Sequence, residues 1–235
     1  IRTPVGKKKG SLAAEHPADL GAHSLKHLMS RTDIDPAAVE DVVFGCVDTI
    51  GPQAGDIART CWLAAGLPEE VPGTTIDRQC GSSQQAVHFA AQGVMSGTQD
   101  IVVAGGVQAM NMIPISSAMT CAEGLGFTDP FSTSKGWVER YGTVEVSQFN
   151  SAEMIAEKWD ITREDMEEFA LESNRRALAA TAEGRFKREI VPYGDMDTDE
   201  SSQRFVQTNS MIPRMGNEDE LDGALLLLAS GAGGY

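Results

Sequence analysis

Apolar and polar positions along the chain switch between two periods, and the alternation predicts helices and strands layered as an α/β fold. Leu20, Leu25, Leu28 and Met29 recur at helical spacing around Asp19 to Met29. Asp35-Pro36 opens a short helical turn, since proline is tolerated at a first helical position where its missing N–H is not needed. Val39 to Gly45 reads as a strand ending in glycine, and Asp56 to Ala65 as a helix stopped by Gly66 and Pro68. The β-branched run Thr74-Thr75-Ile76 predicts a second strand. Ser82 to Met95 predicts a helix closed by Gly97, and Ile101 to Ala104 a buried strand running into Gly105-Gly106.

From about Met112 to Gly142 the period is lost. Pro114, Gly124, Gly126, Pro130, Ser132, Ser134 and Gly136 interrupt it, which predicts an irregular excursion of the kind that carries function. Helical pattern returns over Ser151 to Trp159. Thr162 stands three residues before Asp165, a capping-box start, and the helix it opens runs to about Ala182 and ends at Gly184. Residues 194 to 219 are polar and loop-like, whereas Leu221 to Ala229 is an apolar run compatible with strand or helix. The chain holds no internal repeat.

Composition narrows the class. With 41% hydrophobic and 23% charged residues, the 235-residue chain has ordinary globular proportions and room for a sizeable core. No apolar run approaches the roughly 20 residues that span a bilayer, so no membrane is expected. A net charge of −15, from 19 basic and 34 acidic residues, repels a phosphate backbone and makes nucleic acid an unexpected partner. Arg175, Arg176, Arg185, Lys187 and Arg188 form a local basic excess, read as a solvated helix face and turn. The four cysteines at 46, 61, 80 and 121 show no paired metal-ligand spacing, so no metal is implied and a reducing compartment fits. No apolar signal core or basic transit stretch opens the chain, which makes a cytoplasmic setting the expectation.

The chemistry concentrates in Asp77-Arg78-Gln79-Cys80-Gly81-Ser82-Ser83-Gln84-Gln85-Ala86. Cys80 falls between a short strand and the first turn of a helix, whose positive end suits an anionic nucleophile. Gly81 beside it allows a thioester or oxyanion to approach the backbone. By pattern alone, a small buried cysteine with no chemistry stays open as the alternative.

That segment resembles the nucleophile motif of the thiolases. Arg2-Thr3-Pro4-Val5-Gly6-Lys7 through Gly10-Ser11-Leu12 resembles the family's opening strand-exit motif, and Ala104-Gly105-Gly106-Val107-Gln108-Ala109-Met110 the strand and glycine pair after the nucleophile helix. Ala152-Glu153 through Ile161-Thr162-Arg163-Glu164-Asp165, Phe169 to Ser173 and Gly184 to Pro192 resemble its loop domain. These matches run in family order over most of residues 1 to 192. The resemblance implies a thiolase-like fold, a mixed β-sheet layered with α-helices and carrying an inserted loop domain. It divides the chain into an N-terminal core at 1–112 lacking its first strand, a loop domain at 113–219 and a closing strand at 220–235, with the C-terminal half of the fold absent.

The implied reaction is acyl transfer between a 3-ketoacyl-CoA and coenzyme A, with Cys80 taking the acyl group. Coenzyme A enters as co-substrate, no cofactor is permanently bound, and a homodimer or homotetramer is expected. Gln148-Phe149 occupies the position where the family closes over pantetheine and acyl chain, and its wording is closer to thiolases of bulky or steroid side-chain breakdown. An aromatic packed under a loop is the alternative for Phe149. Arg214 is a candidate for a CoA phosphate, with an idle exposed arginine as its alternative. The family's activating histidine and second cysteine belong to the second half, and His16, His23, His27 and His88 match neither. His88 lies about two helical turns past Cys80, too far to be its base. Ser83 and Gln108 replace a usual glycine and glutamate. Two other classes compare with this reading: a catalytically silent acyl-CoA-binding or assembly subunit on the same fold, and a ketoacyl-synthase relative. The latter's Thr-Ala-Cys-Ser-Ser wording differs from Arg78-Gln79-Cys80-Gly81-Ser82.

Overall fold

The computed structural model describes residues 1–194, and it divides into two compact units, one of residues 1–134 with 190–194 and one covering 135–189. In the first unit, α1 (Pro17–Ser30) is followed by β1 (Asp41–Gly45), α2 (Ile57–Ala64), β2 (Gly73–Ile76), α3 (Ser82–Ser96), β3 (Val102–Gly106) and the short α4 (Ser117–Thr120). The strands form a parallel sheet in the order β2-β1-β3, with Val42 opposite Gly73 on one side and Val103 on the other. Each parallel pair requires a crossover, and α2 and α3 supply them. The α/β class expected from the sequence is the one observed.

The central strand alternates its side chains between two layers. Val42, Phe44 and, just past the strand, Cys46 join Ala22 and Leu25 of α1 and Ile57, Cys61 and Trp62 of α2 in the hydrophobic core. The other face, Val43 and Gly45, turns to α3: a Cβ on Gly45 would collide with the backbone of Ser82 and Ser83. Helices α1 and α2 also approach closely, since a Cβ on Gly21 would run into the Cys61 side chain. Trp62 is completely buried and donates its indole N–H to the Pro68 carbonyl at 2.8 Å, which satisfies the one polar atom its burial would otherwise strand. Residues 190–194 close this unit: Ile190 pairs with Arg2, the Val191 N–H donates to the Arg2 carbonyl at 2.9 Å, and both apolar side chains are buried.

The second unit holds α5 (Lys135–Tyr141), α6 (Gln148–Lys158) and α7 (Arg163–Ala182). The capping box at the start of α7 is complete, with Thr162 Oγ1 accepting from the Asp165 N–H at 3.1 Å and Asp165 accepting from the Thr162 N–H at 2.8 Å. Glu172 pairs with both Arg175 and Arg176, holding its carboxyl down at about 2, so these two arginines belong to a solvated helix face as expected. The stretch expected to be irregular from 112 to 142 is more ordered than its breakers suggest. It contains α4 and α5, and in α5 the Trp137 and Tyr141 rings meet at 4.7 Å one helical turn apart. Helix α6 begins at Gln148 rather than Ser151. Arg214 and the 220–235 segment lie outside the described residues.

Candidate active site around Cys80

The turn that delivers Cys80 is held by its own side chains. Asp77 Oδ1 accepts from the Gln79 N–H at 2.9 Å, which bends the chain and puts Gln79 in the left-handed region at φ 47°. Ser82 Oγ accepts from the Arg78 N–H at 2.9 Å and donates back to the Gln79 carbonyl at 2.5 Å. The Gly81 N–H, donating to the Arg78 carbonyl at 3.0 Å, completes the turn, and α3 starts at the next residue. Cys80 thus stands just before the first turn of an α-helix of 15 residues. It is exposed and a free thiol. Among the described residues, Cys80 does not take the buried position that pattern alone left open. That description fits Cys46 and Cys61 instead: burial pushes their thiols up to about 11 and about 12, and neighbouring acids add to the effect.

Cys80 opens onto a cavity of about 320 Å³ at the C-terminal ends of the strands. Gly45, the last residue of β1, with Cys46 and Val47 lines it side by side with Gly106, the last residue of β3, and Val107 and Gln108. Ser83, from the first turn of α3, packs over both strand ends. In parallel α/β sheets this end collects ligands, because the loops there are free to carry function.

Three polar side chains knit these loops together, Gln53 and Asp48 buried and Gln108 half-buried. Gln108 Oε1 accepts from the Val47 N–H at 2.9 Å and from the Cys46 thiol at 3.7 Å, tying the β1 exit to the β3 exit. Gln53, completely buried, donates to the Val47 and Asp48 carbonyls at 3.2 and 2.9 Å and accepts from the Ala109 N–H at 2.8 Å. Asp48, 2% exposed, accepts from the Ser116 and Ala118 N–H groups at 3.0 and 2.7 Å. Losing the bonds of Gln53 to the buried Asp48 carbonyl and Ala109 N–H would leave each of those backbone groups unsatisfied, at about 1–3 kcal/mol, so this part of the frame is stiff. Of this frame, sequence reasoning noticed only Gln108; nothing local marks Asp48 or Gln53.

Gln148 and Phe149 begin α6 in the second unit, and Phe149 is exposed. His88 sits on α3 and is exposed. Among the described residues no cluster of metal-ligating side chains is present, and no helix is long and apolar enough to cross a membrane.

Comparison with known proteins follows the same segments. The sequence model of the thiolase N-terminal domain matches residues 1–224. A Mycobacterium tuberculosis protein named steroid 3-ketoacyl-CoA thiolase FadA6 is 62% identical over 191 residues, covering 81% of this chain and 47% of that protein. A 3-ketoacyl-CoA thiolase of Pseudoalteromonas translucida is 40% identical over 193 residues, 81% of this chain and 46% of its own. A beta-ketoadipyl-CoA thiolase of Acinetobacter baylyi is 40% identical over 202 residues, 82% of this chain and 49% of its own. The chain therefore spans about half the length of the curated relatives it matches. With a family match running almost end to end, over the same turn, sheet and cavity that surround Cys80, the chain belongs to the thiolase family, as its N-terminal domain.

Proposed function

We propose that the protein is an acyl-CoA acyltransferase that cleaves 3-ketoacyl-CoA with coenzyme A, or runs the reverse Claisen condensation, through an acyl group carried on Cys80. The observation that carries this reading is the exposed thiol of Cys80, set ahead of α3 on the cavity. In the cleavage direction the Cys80 sulfur adds to the 3-keto carbonyl and its proton leaves with a base. The C2–C3 bond then breaks, and the acetyl-CoA enolate takes up a proton to depart as acetyl-CoA. The thiol of a second coenzyme A attacks the resulting thioester, releasing the shortened acyl-CoA and restoring the Cys80 thiol. The family's activating histidine and second cysteine supply the proton transfers from the other half of the fold. Bulky, steroid-derived acyl groups are the favoured substrates, in keeping with the 62% identity to a protein named for steroid 3-ketoacyl-CoA.

Gln148 and Phe149 contact pantetheine and acyl chain in this reading, and Arg214 a CoA phosphate. The core at 1–112, loop domain at 113–219 and closing strand at 220–235 are its domain plan. Coenzyme A serves as co-substrate with no resident cofactor, in a cytoplasmic homodimer or homotetramer.

The test is intact mass and peptide mapping of the whole protein after mixing with acetyl-CoA or a 3-ketoacyl-CoA. An acyl adduct on the Cys80 peptide, lost in Cys80→Ser while CoA binding stays within several-fold, is the expected result. A folded protein that binds acyl-CoA and forms no adduct is the silent subunit instead. An adduct on another cysteine reassigns the nucleophile.

A further inference from the structure

We infer that Ser83 is a specificity-determining residue of this cavity: its hydroxyl donates a hydrogen bond to the carbonyl oxygen of the acyl group on Cys80, and its side chain takes up room in the cavity over the paired ends of β1 and β3. The inference rests on the reading of Cys80 as acyl acceptor.

The polar side chains lining the cavity can be taken in turn. Ser82 is buried, and its hydroxyl is spent on Arg78 and Gln79 within the turn. Gln108 has its Oε1 committed to Val47 and Cys46. Its amide cannot be flipped, because the Val47 N–H needs an acceptor there, and its Nε2 is sealed in the wall. Gln79 and Ser83 remain, both exposed. Gln79 is a long side chain on a solvent-facing turn, so fixing it on a ligand sacrifices more rotamer freedom than fixing a serine does.

Ser83 is also the residue for which space has been made. A Cβ on Gly106 would fall directly on Ser83 Oγ, and a Cβ on Gly45 would fall on the Ser83 backbone nitrogen. The two neighbouring strands therefore end in glycine where this serine packs, and its hydroxyl lies over the last residue of β3. The helix backbone fixes its position three residues after Cys80, on the same cavity. An O–H held there by the scaffold meets the requirement for stabilising the oxygen of a thioester carbonyl, whose negative charge grows when coenzyme A attacks.

The experiment uses the whole protein acylated on Cys80 with a carbonyl-¹³C acyl group, and reads the isotope-edited infrared carbonyl stretch in wild type, Ser83→Ala and Ser83→Gly. Loss of the donor moves the band to higher frequency in both variants and lowers kcat/KM by roughly tenfold. Ser83→Gly additionally raises the kcat/KM ratio of a bulky over a short 3-ketoacyl-CoA relative to Ser83→Ala. A merely structural serine would leave the carbonyl band in place, and an unchanged band with an intact adduct overturns the role of Ser83 alone. Absence of any adduct on Cys80 overturns the acyl-transfer reading and this inference with it. Matching melting curves for the three proteins show that the shifts arise in folded enzyme.

Discussion

Replacing Gly45 with alanine probes the joint on which the candidate site is built. The added Cβ would overlap the Ser83 nitrogen and come within 2.4–2.7 Å of Ser82 C and Ser83 Cα, so every atom in its way is backbone. On one side is the central strand, hydrogen-bonded on both edges; on the other is the first turn of α3. Neither yields as a flexible side chain does. Overpacking typically costs about 1–3 kcal/mol, and two rigid neighbours place Gly45→Ala at the upper end, about 3 kcal/mol. With a urea slope of about 1–3 kcal/mol per molar, the unfolding midpoint falls by about 1–3 M. Gly124→Ala is the matched control, because nothing lies within 4 Å of its Cβ position and its φ is not left-handed; its cost is expected within about 0.5 kcal/mol. Circular dichroism in urea measures both, and iodoacetamide labelling of Cys80 reports whether the first turn of α3 has moved. Equal midpoints for the two variants would refute the packing argument for the β1–α3 joint.

Thr162→Ala removes the side-chain half of the capping box and is expected to destabilise α7 by about 1 kcal/mol, read as faster amide hydrogen exchange in its first turn. Burial and the neighbouring His27 hold His23 below the usual histidine pKa, so the folded chain binds fewer protons than the unfolded one. Stability from this group is complete above about pH 6.5 and lost as pH falls from there through the lowered native value; His23→Phe flattens that slope in pH-dependent urea titrations. Tyr193, whose ring meets His23 at 4.8 Å and whose hydroxyl donates to Glu15 at 2.9 Å, is pushed up to about 12, chiefly by burial. Its contribution is complete below about pH 10 and declines as pH rises through 12. Native-state alkylation near pH 8 is expected to modify the exposed Cys80 and Cys121 and spare Cys46 and Cys61, whose thiols are buried; peptide mapping decides, and early labelling of Cys61 would contradict its place in the core.

Local signals were legible in the chain because the groups that create them are neighbours in sequence. Thr162 and Asp165 cap α7 from three residues apart, Asp35 Oδ1 accepts from the Ala37 N–H at 3.0 Å to start its short turn, and Gly97 ends α3 at φ 72°. The placement of Cys80 between strand and helix follows from the same short-range logic, and so do most element bounds. Helix α5 escaped because its glycine and serine surroundings hide an i,i+4 ring pair. The tertiary structure alone decided that β1 is the central strand, that Cys80 is exposed while Cys61 is buried, and that Asp48, Gln53 and Gln108 frame one cavity. The bonds of that frame join residues 56, 61, 68 and 70 positions apart. Glycine at 45 and 106 likewise has meaning only against Ser83. Periodicity encodes which face of an element is apolar, but not which distant backbone groups will be stranded in the core and need a partner; only packing the elements brings those groups together.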